Sequence, residues 1–218
     1  MQTQTLAATA AIPAPDLASM DAPVRRLFER IAPALTAAAP EMSSIATALI
    51  DFARDHDYLV PRIRDLGDRS GGVGIHAPVR GPRLLLVHRT EGQMGAIHDH
   101  GCWVALAPVT GVETHRHFRI DASGTELARL ELATEQVVRF GEAVTMLTPE
   151  DTHAHGHAAG SGDPAYVLIL LGDDQRFFRR SEWDTVTGQR RVLDVGDAGR
   201  WLDSEPFPQG CREGDNDG

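Results

Sequence analysis

Cysteine is scarce in this chain, with Cys102 and Cys211 the only two in 218 residues. Two cysteines exclude a disulfide framework, and Cys211 lies in a polar tail where pairing with Cys102 is not expected. No apolar run approaches the ~20 residues that a membrane-spanning helix needs. A run of basic residues is also missing, and the net charge is -10. That balance argues against nucleic acid or an anionic membrane surface as a partner. The first fifteen residues have neither a basic start nor a strong apolar core, so no signal peptide is read there and a soluble, cytoplasmic protein is expected. What the chain does have is a 42% hydrophobic share, enough for one sizeable domain with appendages.

The chain changes character along its length. Residues 1–20 are rich in Ala, Thr and Pro and are expected to be flexible. Residues 21–66 read as a helical extension. Asp21 before Ala22-Pro23 is a helix start, Val24, Leu27, Phe28, Ile31 and Leu35 follow at helical spacing, and Pro33 is placed to kink or end that helix. Ser43-Ser44 is read as the cap of a second helix that buries Ile45, Leu49, Phe52 and Ala53. The five glycines between Gly67 and Gly81 read as a loop. From there the period shortens. Leu84–Val87, Ile97–Val109 (with Pro108 at a bulge or edge), Val112–Ile120, Leu127–Leu132, Gln136–Phe140, Ala143–Leu147, Ala165–Leu171 and Gln175–Arg179 all read as strands. Short strands with frequent turn signals predict an all-β sandwich or barrel. A domain over residues 80–180 and a C-terminal strand and tail over 181–218 complete the expected organisation.

The histidines concentrate in two places. His98 and His100 flank one residue, and on a strand side chains two apart share a face, so both imidazoles can converge on one metal ion. His153, His155 and His157 repeat the same rhythm further on, and any of the three is a candidate for a third ligand. Glu113, His115 and His117 alternate as well, and are read as the polar outer face of an antiparallel strand, the alternatives being an acid/base set behind the ligands or an additional metal site. His56, His76 and His88 are expected to be ordinary surface or satisfied histidines.

The segment from Gly92 to His100, ending Ile97-His98-Asp99-His100, resembles the first motif of the cysteine dioxygenase family of cupins. Leu147 to His153, with Asp151 two residues before His153, resembles the second. The resemblance spans roughly residues 80–175. It implies a cupin double-stranded β-helix, a jelly-roll barrel with the helices N-terminal to it, and ferrous iron held by His98, His100 and His153. The glutamate that most cupins place four or five residues after the second histidine is absent, since Val104 and Ala105 stand there. That favours the three-histidine thiol dioxygenase branch. The family's cross-linking cysteine is also absent at Ala105. The Ser-His-Tyr alternation of its late strand is replaced by the apolar run Val167–Leu171. Its asparagine after the third ligand is replaced by His157.

Three neutral imidazoles leave the full charge of a divalent ion in place and so favour an anionic chelating substrate. The expected activity is that of a mononuclear non-haem iron oxygenase that oxidises a small thiol or other chelating anion with dioxygen. His155 and His157 are the candidate catalytic residues. Arg80, Arg83 and Trp103 are the candidates for binding substrate. All-imidazole ligation suits zinc, nickel or copper as well as iron. The competing expectation is a non-oxidative metal-binding cupin, either a sensor or storage module or a metal-dependent isomerase. A homodimer is a further expectation.

Overall fold

In the computed structural model, residues 16–35, 39–68, 71–121, 129–148, 151–158, 160, 162–173, 180–184 and 190–193 are described. Three helices come first. Helix α1, Ala22–Leu35, buries Val24, Leu27, Phe28, Ile31 and Ala34 along one stripe and carries Pro33 two residues from its end. Helix α2 spans Met42–Ala53. Its N-cap position is Glu41, without a side-chain capping bond, and the two serines expected to cap it lie inside its first turn. Helix α3, His56–Leu66, is capped by Asp55, whose carboxylate accepts from the Tyr58 amide at 3.2 Å. It closes at Gly67, whose φ of 59° a side chain would resist. None of the described helices is long and apolar enough to cross a membrane.

Among the described residues twelve strands follow: β1 Gly71–His76, β2 Arg83–Arg89, β3 Gln93–Met94, β4 Ile97–His98, β5 Val104–Thr110, β6 Val112–Asp121, β7 Arg129–Arg139, β8 Val144–Met146, β9 His153–His157, β10 Ala165–Leu171, β11 Arg180–Trp183 and β12 Arg190–Leu193. They form two antiparallel sheets. The first has the order β1-β2-β10-β5-β8, and the second β12-β11-β4-β9-β6-β7 with β3 added alongside β9. Counting β2, β4, β5, β6, β7, β8, β9 and β10 as the eight strands of the core, the orders are 1-8-3-6 and 2-7-4-5. The chain thus passes from sheet to sheet as a jelly roll does, and the fold is the expected double-stranded β-helix. The expected barrel is not closed, however: both sheets keep free edges among the described residues, at β1 and β8 in one and at β12 and β7 in the other.

Strands β2, β5 and β10 of the first sheet are covered on both faces, and this explains their sequence. Leu84, Leu86, Ala105, Ala107, Leu168 and Leu170 pack with the helices. Their neighbours Leu85, Val87, Val104, Leu106, Val167, Ile169 and Leu171 form a second cluster, toward the inside of the jelly roll, with Val138, Val144 and Met146. A strand with no solvated side has no reason to alternate, so its residues read as unbroken apolar runs.

Several boundaries differ from expectation. The glycine-rich segment contains the edge strand β1, because glycines pair through their backbone whatever their propensity. The stretch from Ile97 to Val109 is broken between His98 and Val104. The two strands expected between Leu127 and Phe140 belong to one long strand, β7. The bulge expected at Pro108 is present: Val167 faces Pro108 while Tyr166 faces Thr110, leaving Val109 unpaired. The strand expected over residues 175–179 lies outside the described residues.

Candidate metal centre

The second sheet turns a polar face inward. In register, His98 of β4 lies opposite His153 of β9, and His153 lies opposite His117 of β6. One step along, His155 lies opposite His115. Cross-strand partners share a face, so the pairing alone gathers imidazoles from three strands.

Four of them converge. His98, His100, His153 and His155 offer ring nitrogens that all lie within 4.8 Å of one another. Their ring centroids are 4.6 Å apart for His98 and His153, 4.8 Å for His98 and His100, and 4.9 Å for His100 and His153. His100 arrives by a different route from the one its spacing suggested. Strand β4 ends at His98, and Gly101 takes a φ of 68° just after His100. What fixes His100 is Asp151, whose carboxylate accepts from the His100 amide at 2.8 Å and stands 3.7 Å from its Nδ1. Asp99 is not among the converging groups, and its carboxylate accepts from the Ser181 amide at 2.8 Å.

The tautomers follow from the partners. His98 Nδ1 donates to the Ala96 carbonyl oxygen at 2.8 Å, and His153 Nδ1 donates to that of Asp151 at 2.6 Å. A carbonyl can only accept, so the proton of each neutral ring sits on Nδ1 and the Nε2 lone pair is bare. His155 Nδ1 lies 2.9 Å from Oε1 of Glu113, with the same consequence. Burial, and then the neighbouring rings, hold His98 and His153 well below the ordinary imidazole pKa. Burial brings His155 down to about 4 despite Glu113. Neutral rings with bare lone pairs are what a metal ion requires.

These residues fit a metal. Nε2 of His153 is buried and has no hydrogen-bond partner, as is true of Nδ1 of His100. Buried nitrogens are rarely left so without a reason. Imidazole–metal bonds of about 2.0–2.1 Å place two donors at most ~4.2 Å apart, so a set spread over up to 4.8 Å needs only a slight contraction.

Beyond this group lies a feature that strand alternation had assigned to the wrong side. Glu113 and His115 are fully buried rather than solvated. The Glu113 carboxylate bridges His155 and His115, with its Oε2 3.0 Å from His115 Nε2, and Arg89 stands 3.6 Å from Oε1. Burial alone would raise the Glu113 pKa, but His155 and His115 hold it well below the usual carboxylate range. Arg89 shares the parity of Leu85 and Val87, which face inward, and that alternation is the signal that could have found it. The remaining candidates are placed elsewhere or otherwise engaged. His157 is tied to the main chain, with Nδ1 2.8 Å from the Val112 carbonyl and Nε2 3.3 Å from that of Gly162. Arg80 forms an ion pair with Asp173 at 2.8 Å. Arg83 is buried at the far end of β2 from Arg89. Trp103 packs on the helix-covered side of the first sheet, against Gly172. The arginine whose charge bears on His98 is Arg180 of β11, which sequence reasoning missed.

No family model matches the sequence, and no curated protein does. Solved structures show a partial likeness. An RmlC-like cupin protein from Ralstonia eutropha is 16% identical, with 56% of this chain and 64% of that chain covered at a TM-score of 0.36. The chain thus spans a little under two thirds of that protein. A Klebsiella pneumoniae protein with a double-stranded β-helix domain is 12% identical, with 47% and 76% covered and a TM-score of 0.35. A hydroquinone 1,2-dioxygenase, solved with Cd2+ and 4-hydroxybenzonitrile, is 10% identical, with 57% and 75% covered and a TM-score of 0.39. At such identities and scores nothing about activity follows from them.

Proposed function

We propose that this protein is a mononuclear metalloenzyme, an iron-dependent oxygenase that acts on a small thiol or other chelating anion with dioxygen. His98, His100 and His153 are its metal ligands. The observation that carries the reading is the pair of imidazoles His98 and His153, each pinned through Nδ1 to a carbonyl oxygen with Nε2 left bare beside His100. A ferrous ion held there would supply a Lewis-acidic, redox-active centre with its positive charge uncompensated by ligands.

The chain's own contribution is positional and electrostatic. Asp151 fixes the backbone at His100 through one carboxylate oxygen and fixes the His153 ring through its carbonyl. Arg180, whose charge bears on His98, is itself paired with Glu182 at 3.3 Å. The facing sheet presents Val167, Ile169 and Leu171 within its inward cluster, a dry wall that strengthens charge interactions at the centre.

The test is oxygen uptake by iron-loaded protein over a panel of thiols that includes cysteine and mercaptopropionate. The expected outcome is uptake with at least one of them, lost in His100→Ala. A fully loaded ferrous protein that consumes no oxygen with any chelating substrate would sink the oxygenase reading. It would leave in front a non-oxidative use of the same ligands, as a sensor or metal-dependent isomerase. That second reading draws on one observation: β10 carries the apolar run Val167–Leu171 where the thiol dioxygenase resemblance would place a Ser-His-Tyr alternation.

A further inference from the structure

Glu113, His115 and His155 bring donor atoms within 4.8 Å of one another, as the first group does, so a second cation must be considered. The local charges speak against it. Arg89 already brings a guanidinium to this place, its Nε 3.6 Å from Glu113 Oε1. Both carboxylate oxygens accept from imidazole N–H groups, at 2.9 Å from His155 and 3.0 Å from His115. A second ion would have to strip both protons and settle beside a buried arginine.

We infer that Glu113 is a positioning residue that makes His155 a fourth imidazole donor to the centre. By accepting from Nδ1 it fixes the tautomer of His155 and leaves Nε2 to join the nitrogens of His98, His100 and His153. This rests on the proposal that those three residues bind a divalent ion, and adds a ligand and its support to it. A competing contact would give the opposite tautomer: Arg89 Nη2 lies 3.5 Å from the same Nδ1 and could only donate to it. The distances decide between them. A contact of 2.9 Å to an ionised carboxylate is a strong hydrogen bond, whereas 3.5 Å lies at the edge of having any bond at all. His115 has a separate task. It occupies the second oxygen and so prevents the carboxylate from turning away from His155. Arg89 adds a guanidinium 3.6 Å from Oε1 to the two imidazole bonds that support this fully buried carboxylate. A carboxylate behind a ligating histidine is a general device for orienting the ring, and losing it typically weakens metal binding 10–100-fold.

Cobalt(II) or zinc titration, with X-ray absorption to count imidazoles on the bound ion, tests this on the full chain. The unaltered protein is expected to take one ion per chain bound by four imidazoles. Glu113→Gln keeps one acceptor and is expected to weaken binding about 10-fold. Glu113→Ala should weaken it about 100-fold and reduce the imidazole count to three. His155→Ala should show the same three-imidazole signature with Glu113 intact. Three imidazoles in the unaltered protein, affinity unchanged within twofold in Glu113→Gln, or two ions per chain would each overturn the inference while leaving a three-histidine centre possible. An unaltered protein that binds no ion would overturn both. Where circular dichroism shows that a Glu113 variant has not folded, the imidazole count in the unaltered protein decides alone.

Discussion

Asp151 illustrates how much one buried carboxylate can hold in this molecule. Its Oδ2 accepts from the His100 amide, in a loop that no strand ladder supports. Asp151→Ala should leave that amide unsatisfied and cost about 1–3 kcal/mol, measured by urea unfolding of the metal-free protein. Asp151→Asn, which retains a carbonyl acceptor, should cost less. The imidazoles set a pH dependence whose sign is fixed. Unfolded histidines take protons near pH 6.5, whereas His155 does so only near 4 and His98 and His153 well below their ordinary value. Between those limits the unfolded chain binds more protons, so stability rises with pH there. The metal-free protein should therefore be fully stable, as far as these groups decide it, above about pH 6.5, and should lose stability as the pH falls toward 4. Thermal melts across that range check this, and a midpoint that rises as the pH falls would contradict it. Cys102 behaves in the opposite sense, since burial pushes its thiol up to about 12. In a Cys211→Ser background, iodoacetamide at pH 8 should leave Cys102 unlabelled until the protein is denatured.

Strand β9 shows what could and could not be read from the chain. Its histidine alternation was legible because a period of two survives in any sequence that lines one face of a strand. Which of its histidines converge with His98 and His100 was not, because that depends on where β4 and β6 pair with it. His157 shares the face of His153 and His155 yet ends against carbonyl oxygens. Alternation in β6 was equally clear, but the inner face of a sheet is usually the apolar one. Glu113 and His115 were therefore assigned to solvent, when they form the polar interior. Helices α1 and α2 were legible from their stripes, whereas α3, within the segment read as helical, was not set apart as an element of its own because Pro61 sits in its middle. Gly156, between His155 and His157, marks a point where only glycine fits: a Cβ there would run into the Gln93 carbonyl oxygen and approach the Met94 Cα within 2.7 Å. Gly156→Ala should thus push β3 off β9, lower the melting temperature and weaken metal binding together. Calorimetry and zinc titration of that variant check the link.

The two sheets divide the labour of the protein. The first, through β2, β5 and β10, is dry on both sides and forms a wall, while the second carries His98, His153 and His155. Because α1 and α2 cover Leu84, Leu86, Leu168 and Leu170, the helical segment completes the core and is not an appendage to it. A chain lacking residues 1–68 should expose that face and bind a hydrophobic dye or precipitate, which a solubility assay reads directly. The proposed donors also come from segments far apart: the bond that places His100 spans 51 positions of the chain. Closing so distant a contact is slow and falls late in folding. The two pairs, His98 with His100 and His153 with His155, meet only where β4 joins β9, so the unfolded ensemble offers an ion no more than one pair at a time. Zinc should then leave the refolding rate almost untouched and appear only in the unfolding limb, as a longer lifetime of the finished protein.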